Sequence, residues 1–240
     1  LFRSAQNKVP REAPKFEVDP SFPKIPNNWV LGQVASAAAD EKDHIWVLHR
    51  TRTVRPALKT GPPVMEFDSA GNYIQGWGGD APGYDWPKSE HGIYIDYKGF
   101  VWIGGQGDDD SILKFTKAGK FVMQIGKGGH KKTNKDTENF WRPADVFVYP
   151  KTNELFVADG YGNTRIIVFD ADTGKFKRMW GAFANTPQDM PAQRSEGGER
   201  MDPHHIAAKE IDPKDPGPQQ FNSVHGVKVS NDGLVYVSDR

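Results

Sequence analysis

Four segments of the chain repeat one pattern, and that repetition constrains the fold more than any other feature. Each holds an apolar strand, a polar turn, and a second strand carrying an aromatic residue. They run from Ala37 to Leu48, Ile93 to Gly104, Val146 to Asp159 and Val227 to Asp239. The turns between the paired strands carry hairpin residues, such as Tyr97-Lys98-Gly99 and Asn231-Asp232-Gly233. In the first three repeats two further strands follow. Ile112–Phe115 and Phe121–Gly126 flank a Lys117-Ala118-Gly119 turn, and Ile166–Phe169 and Phe176–Gly181 flank Asp172-Thr173-Gly174. Four antiparallel strands per repeat make one propeller blade. The predicted fold is therefore an all-β propeller with about three and a half blades in this chain, six being expected in the full protein.

The marker aromatics Trp46, Trp102 and Phe156 are almost evenly spaced, and the step to Tyr236 is stretched. The excess is a proline-rich, charged stretch at 182–220, predicted to be a long loop insertion in the propeller of residues 30–240. Residues 1–29, also proline-rich, are predicted to form an extended arm across the outside. Three blades and half of another cannot close a ring. The expectation is that the sequence is part of a longer protein, assembly with other chains being the alternative.

Composition excludes several function classes. With 31 basic and 31 acidic residues the formal charge is zero, which leaves no cationic surplus for a dedicated nucleic-acid binder. No apolar run approaches the roughly 18 residues of a membrane span. Cysteine is absent, so a metal would be held by His, carboxylate or carbonyl groups.

Loops at one end of a propeller converge on its axis, so side chains distant in sequence meet there. The segments leading into the innermost strands read Glu90-His91-Gly92, Arg142-Pro143-Ala144-Asp145 and Val224-His225-Gly226. A His-Gly pair recurring in register makes His91 and His225 candidate zinc ligands. His49 stands beside a candidate arginine, Arg50, whose counterpart in the fourth repeat is Arg240. Either arginine suits a fork for a carboxylate or a salt bridge at the rim. His204 and His205 fall in the insertion, where solvent exposure or a lid role is expected. Between two strands lies Asp159-Gly160-Tyr161-Gly162-Asn163-Thr164-Arg165. Its glycines are expected to turn the backbone sharply and leave Tyr161 projecting, where a nearby metal would make the phenol a general base.

These runs, with Leu31-Gly32-Gln33-Val34 through Leu48-His49-Arg50 and Ser238-Asp239-Arg240, resemble the peptidyl-α-hydroxyglycine α-amidating lyase family, in its bacterial NHL-repeat form. The resemblance covers roughly residues 30–240 outside the insertion. It implies a six-bladed NHL propeller cleaving the C–N bond of peptidyl-α-hydroxyglycine, or a related α-hydroxy amide, to an amide and glyoxylate. It implies zinc on His91, His225 and a third histidine beyond residue 240, with Tyr161, Arg50 and Arg240 as catalytic residues. A structural calcium is implied on the main-chain carbonyls of Ala37 and Ile93. A small peptide or α-hydroxy amide substrate and a secreted or periplasmic location follow from the same likeness. Animal members carry a cysteine where Gly162 stands, so their disulfide is not expected here. The pattern favours an enzyme of carbon–nitrogen lyase type over a scaffold propeller. A calcium-dependent lactonase on a similar propeller ranks third, because the strand starts offer His rather than a ring of carboxylates.

Overall fold

The computed structural model describes residues 13–107, 109–130, 132–189 and 217–240. Three four-stranded antiparallel sheets follow one another along the chain. The first is β1 (Gln33–Ala39), β2 (Ile45–Arg50), β3 (Val64–Phe67) and β4 (Tyr73–Trp77). The second is β5 (Glu90–Ile95), β6 (Phe100–Gly105), β7 (Ile112–Thr116) and β8 (Phe121–Ile125). The third is β9 (Asp145–Tyr149), β10 (Glu154–Asp159), β11 (Arg165–Asp170) and β12 (Phe176–Trp180). A hairpin of β13 (Val224–Val229) and β14 (Val235–Asp239) completes the described strands. Short turns allow only neighbours to pair, so each sheet is a simple meander. The first strands β1, β5, β9 and β13 pack on one another in chain order, as the inner strands of successive blades do. The all-β propeller read from the repeats is the observed fold.

Faces of adjacent blades bury the core. Trp46, Leu48 and Val64 of the first blade meet Ile93, Val101, Ile103 and Phe115 of the second. Trp102 and Ile112 meet Val146, Val148, Leu155 and Phe169 across the next seam. Phe156 and Val168 meet Val224, Val227 and Val229 across the last. The buried indoles need a partner for their N–H. Trp46 Nε1 donates to Asp40 at 3.2 Å and Trp102 Nε1 to Asp96 at 2.8 Å, the same clamp in two blades. Tyr236, the fourth marker aromatic, is exposed instead, because among the described residues no third strand pairs with β14.

From Phe22 onward the arm lies against the first blade, on the face turned away from the second, while residues 13–21 are exposed. Ile25, Trp29 and Leu31 cover Val47, Met65 and Phe67, with Trp29 edge-on to Tyr73 at 5.7 Å between centroids. The insertion is described only at its two ends. Gln220 ties them together, accepting from Gln188 N–H at 3.1 Å and donating to the Thr186 carbonyl at 3.1 Å. His204 and His205 lie outside the described residues.

Candidate functional site

Both candidate histidines sit inside strands, not in the loops before them. In β5 the pairing register shifts between Glu90 and Gly92, and in β13 between Val224 and Gly226. His91 and His225 are therefore the extra residues of two β-bulges at one blade position. A bulge re-aims a side chain that regular pleating would send elsewhere, and here it turns both imidazoles inward. The first blade bulges at the same place, with Ala35. In the third blade β9 has no bulge, and Ala144 precedes its first paired residue, Asp145.

The two imidazoles converge on Tyr161. Its phenol oxygen lies 3.0 Å from His91 Nε2 and 2.8 Å from His225 Nε2. Ring centroids of all three pairs stand 5.2 Å apart. His91 Nδ1 is 2.8 Å from the Ala144 carbonyl, and a carbonyl only accepts, so Nδ1 carries the ring proton. A neutral His91 then accepts the Tyr161 O–H at Nε2, and His225 Nε2–H donates to the phenol oxygen.

Burial, chiefly, lowers the pKa of both histidines, so both imidazoles are neutral at pH 7. At His91 the hydrogen bond to Ala144 opposes this shift, while the neighbouring His225 ring and the charge of Arg50 add to it. At His225 the charge of Arg240 adds to it. Arg240 holds its guanidinium 5.4 Å from the centre of the Tyr161 ring. Arg50 reaches the same region from the first blade, donating from Nε to the Glu90 carbonyl at 3.0 Å and from Nη1 to Gln33 Oε1 at 3.3 Å. The structure thus brings His91, His225, Tyr161 and Arg240 into one cluster, with Arg50 beside it.

The donor set fits a zinc ion. Its imidazoles are neutral and convergent, and His91 is held by a backbone carbonyl, the support that metal-binding histidines generally have. Among the described residues no third His, Cys, Asp or Glu groups with the pair. Ala37 and Ile93 occupy equivalent places on β1 and β5, each the second residue after its bulge. His49 takes no part. It is fully buried, accepting Gly32 N–H at Nδ1 (3.1 Å) and donating from Nε2 to the Pro62 carbonyl at 2.8 Å.

The chain bends at 161–163 as expected, but not through a left-handed backbone at the glycines flanking Tyr161. Neither Gly160 nor Gly162 has a positive φ. Each instead lets another group approach closely. A Cβ on Gly160 would lie 1.9 Å from the Val224 carbonyl oxygen, and one on Gly162 would lie 2.2 Å from Trp141 Cγ. The loop is seated against β13, next to His225, because residue 160 has no side chain.

The sequence did not mark the base of this loop. Asp159 and Arg165 face each other across β10 and β11 and form an ion pair at 2.9 Å, both side chains fully buried. Their separation across a short hairpin was the available signal. A further cluster, Asp40, His44 and Glu66, has metal-type residues near one another. Its oxygens are already bound, by Lys117, Trp46, Gln75 and His44 itself, so it links the first two blades.

No family model matches the chain. It is 28% identical over 196 residues to peptidyl-glycine alpha-amidating monooxygenase A of Xenopus laevis, covering 74% of this chain and 20% of that protein. It is 35% identical over 103 residues to a probable peptidyl-alpha-hydroxyglycine alpha-amidating lyase of Caenorhabditis elegans, covering 43% and 28%. NHL repeat-containing protein 3 of Mus musculus is 25% identical over 238 residues, covering 95% and 55%. The chain thus spans 20% of the Xenopus monooxygenase and 55% of the mouse NHL protein. Among solved structures, virginiamycin B lyase from Staphylococcus aureus is similar at a TM-score of 0.42 and 14% identity, covering 87% of this chain and 64% of that one. The chain is thus similar both to amidating lyases and to NHL repeat proteins, and its fold is an NHL-type β-propeller.

Proposed function

We propose that this chain carries the active site of a zinc-dependent carbon–nitrogen lyase acting on peptidyl-α-hydroxyglycine or a related α-hydroxy amide. The observation that supports the reading best is the grouping of His91, His225 and Tyr161, in which the Tyr161 hydroxyl lies within 3.0 Å of Nε2 of each histidine. His91 and His225 would hold the ion, which when bound acidifies a hydroxyl beside it. As a phenolate, the form a neighbouring cation would favour, Tyr161 would take the proton of the substrate hydroxyl. The C–O bond then becomes the carbonyl of glyoxylate, the C–N bond breaks with its electrons going to nitrogen, and the amide nitrogen takes up a proton. Arg240 and Arg50 would hold the substrate carboxylate, Arg240 being nearer the phenol. A structural calcium on the carbonyls of Ala37 and Ile93, and a secreted or periplasmic location, belong to the same proposal.

Elemental analysis of the purified, zinc-supplied protein tests it, alongside His91→Ala and His225→Ala. About one zinc per chain, lost in both variants, with glyoxylate released from an α-hydroxyglycine peptide by the wild type, is the expected result. A folded wild type that retains no zinc and releases no glyoxylate overturns the proposal. A scaffold propeller would then be the better reading, in keeping with the match to NHL repeat-containing protein 3 over 95% of this chain.

A further inference from the structure

The third blade contributes no histidine, yet it touches the elements that carry both. Ala144 gives its carbonyl to His91 Nδ1 at 2.8 Å. The next residue, Asp145, accepts the Val227 N–H at Oδ2 (3.1 Å), two residues beyond His225 on β13. The same oxygen accepts from Lys228 Nζ at 3.1 Å, and Lys228 stands over the rings of Tyr94 and Phe147 at 5.6 and 5.4 Å. Gly92 and Gly226 occupy the register position of Asp145 in the neighbouring blades. A Cβ on Gly226 would lie 3.8 Å from Asp145 Oδ2. The two glycines thus leave room at this level, and one carboxylate enters it.

From this geometry we infer that Asp145 is the positioning residue of the His91–His225 pair. Its carboxylate anchors the β13 bulge that aims His225. By fixing the start of β9 it also holds the Ala144 carbonyl against His91. The inference rests on the proposed site only in naming that pair, since the contacts themselves need no metal. Asp145 acts through the backbone that presents the imidazoles.

The test uses metal-free full chain with nitrogen-15-labelled histidine, comparing wild type with Asp145→Asn, Asp145→Ala and Lys228→Met. Ring nitrogen shifts report tautomer and hydrogen bonding. In Asp145→Ala both His91 and His225 signals are expected to move, with the His91 Nδ1–H tautomer no longer the single form. Asp145→Asn keeps an acceptor for Val227 N–H and is expected to restore the wild-type tautomer of His91. It also serves as the folded variant if Asp145→Ala does not fold, because its neutral oxygen holds Val227 N–H more weakly than the carboxylate does and the His225 signal is expected to move partway. Lys228→Met is expected to leave both rings unchanged. Zinc retention, measured against a chromophoric chelator, should weaken about tenfold or more in Asp145→Ala. Wild-type ring signals in both Asp145 variants overturn the inference whether or not the protein binds zinc. Zinc failing to bind the wild type overturns the lyase reading alone.

Discussion

Arg165 Nε donates to Asp159 Oδ2 at 2.9 Å, and neither side chain meets solvent. The pair closes the base of the loop that presents Tyr161. Asp159 also accepts the Trp141 N–H at 2.9 Å and Asn163 Nδ2 at 2.7 Å. Arg165 extends to the carbonyls of Asn134 (2.9 Å) and Asn139 (2.7 Å). Removing one member leaves the other charged and buried. Arg165→Ala and Asp159→Ala should therefore each cost about 3–5 kcal/mol in urea denaturation. Arg165→Lys should recover little, because an ammonium cannot span the carboxylate and the separate carbonyls as the guanidinium fork does. A loss below about 1 kcal/mol in both alanine variants would show that the clamp does not hold the loop.

Tyr161→Phe removes one hydroxyl and leaves the ring in place beside both histidines. The proposed chemistry loses its base, so glyoxylate release should fall by about 10²- to 10⁴-fold. Zinc content should stay as in wild type, because the imidazoles are held by their own strands. Unchanged turnover in this variant would remove the phenol from the proton-transfer step.

The blade pattern was legible because hydrophobic strands and hairpin turns repeat in register, and such periodicity is a property of the chain itself. His91-Gly92 and Val224-His225-Gly226 were legible for the same reason: their likeness stood out against the repeat. The bulges that aim these histidines were not. A bulge is defined by the partner strand, and nothing in residues 90–92 alone fixes how they pair with β6. The glycines around Tyr161 were visible, but their reason was not, since the groups they accommodate, Val224 and Trp141, are distant in sequence. Asp145 was seen only as an acid near a strand start. Its role depends on where β13 lies, a tertiary relationship.

Gly160 offers a direct test of close approach as distinct from turn geometry. Its φ is not positive, so alanine at 160 carries no penalty from the left-handed region. The new methyl would nonetheless meet the backbone of Val224, with carbonyl oxygen, nitrogen and carbon all within 2.5 Å. Backbone on both sides must move, next to His225. Gly160→Ala should lose at least about 1–3 kcal/mol, and it should disturb the His225 ring signal. A variant as stable as wild type, with that signal unmoved, would mean the loop is not seated on β13 as described.

The histidines set the acid side of the stability curve. Burial lowers the pKa of His49, against the opposing pull of the Pro62 carbonyl and the Glu90 charge, and His91 and His225 are lowered as well. A histidine in the unfolded chain takes up a proton near pH 6.5, whereas these three resist doing so while folded. Stability is therefore fully present above about pH 6.5 and lost as pH falls through the lowered folded values. The lowered carboxylates act elsewhere: Glu154, held near 2 chiefly by Arg178, begins to matter only below its ordinary range. The urea midpoint should fall steadily from pH 7 to pH 5, before those carboxylates titrate. His49→Gln keeps a side-chain donor in the place of Nε2–H and removes one titrating ring. Its pH dependence should be shallower than wild type by up to about 1.4 kcal/mol per pH unit. Burial raises the carboxyls of Asp109 and Asp110, which add stability as pH falls. A wild-type midpoint that is flat across this window, and unchanged in slope by His49→Gln, would therefore show that the imidazoles accept protons as readily folded as unfolded.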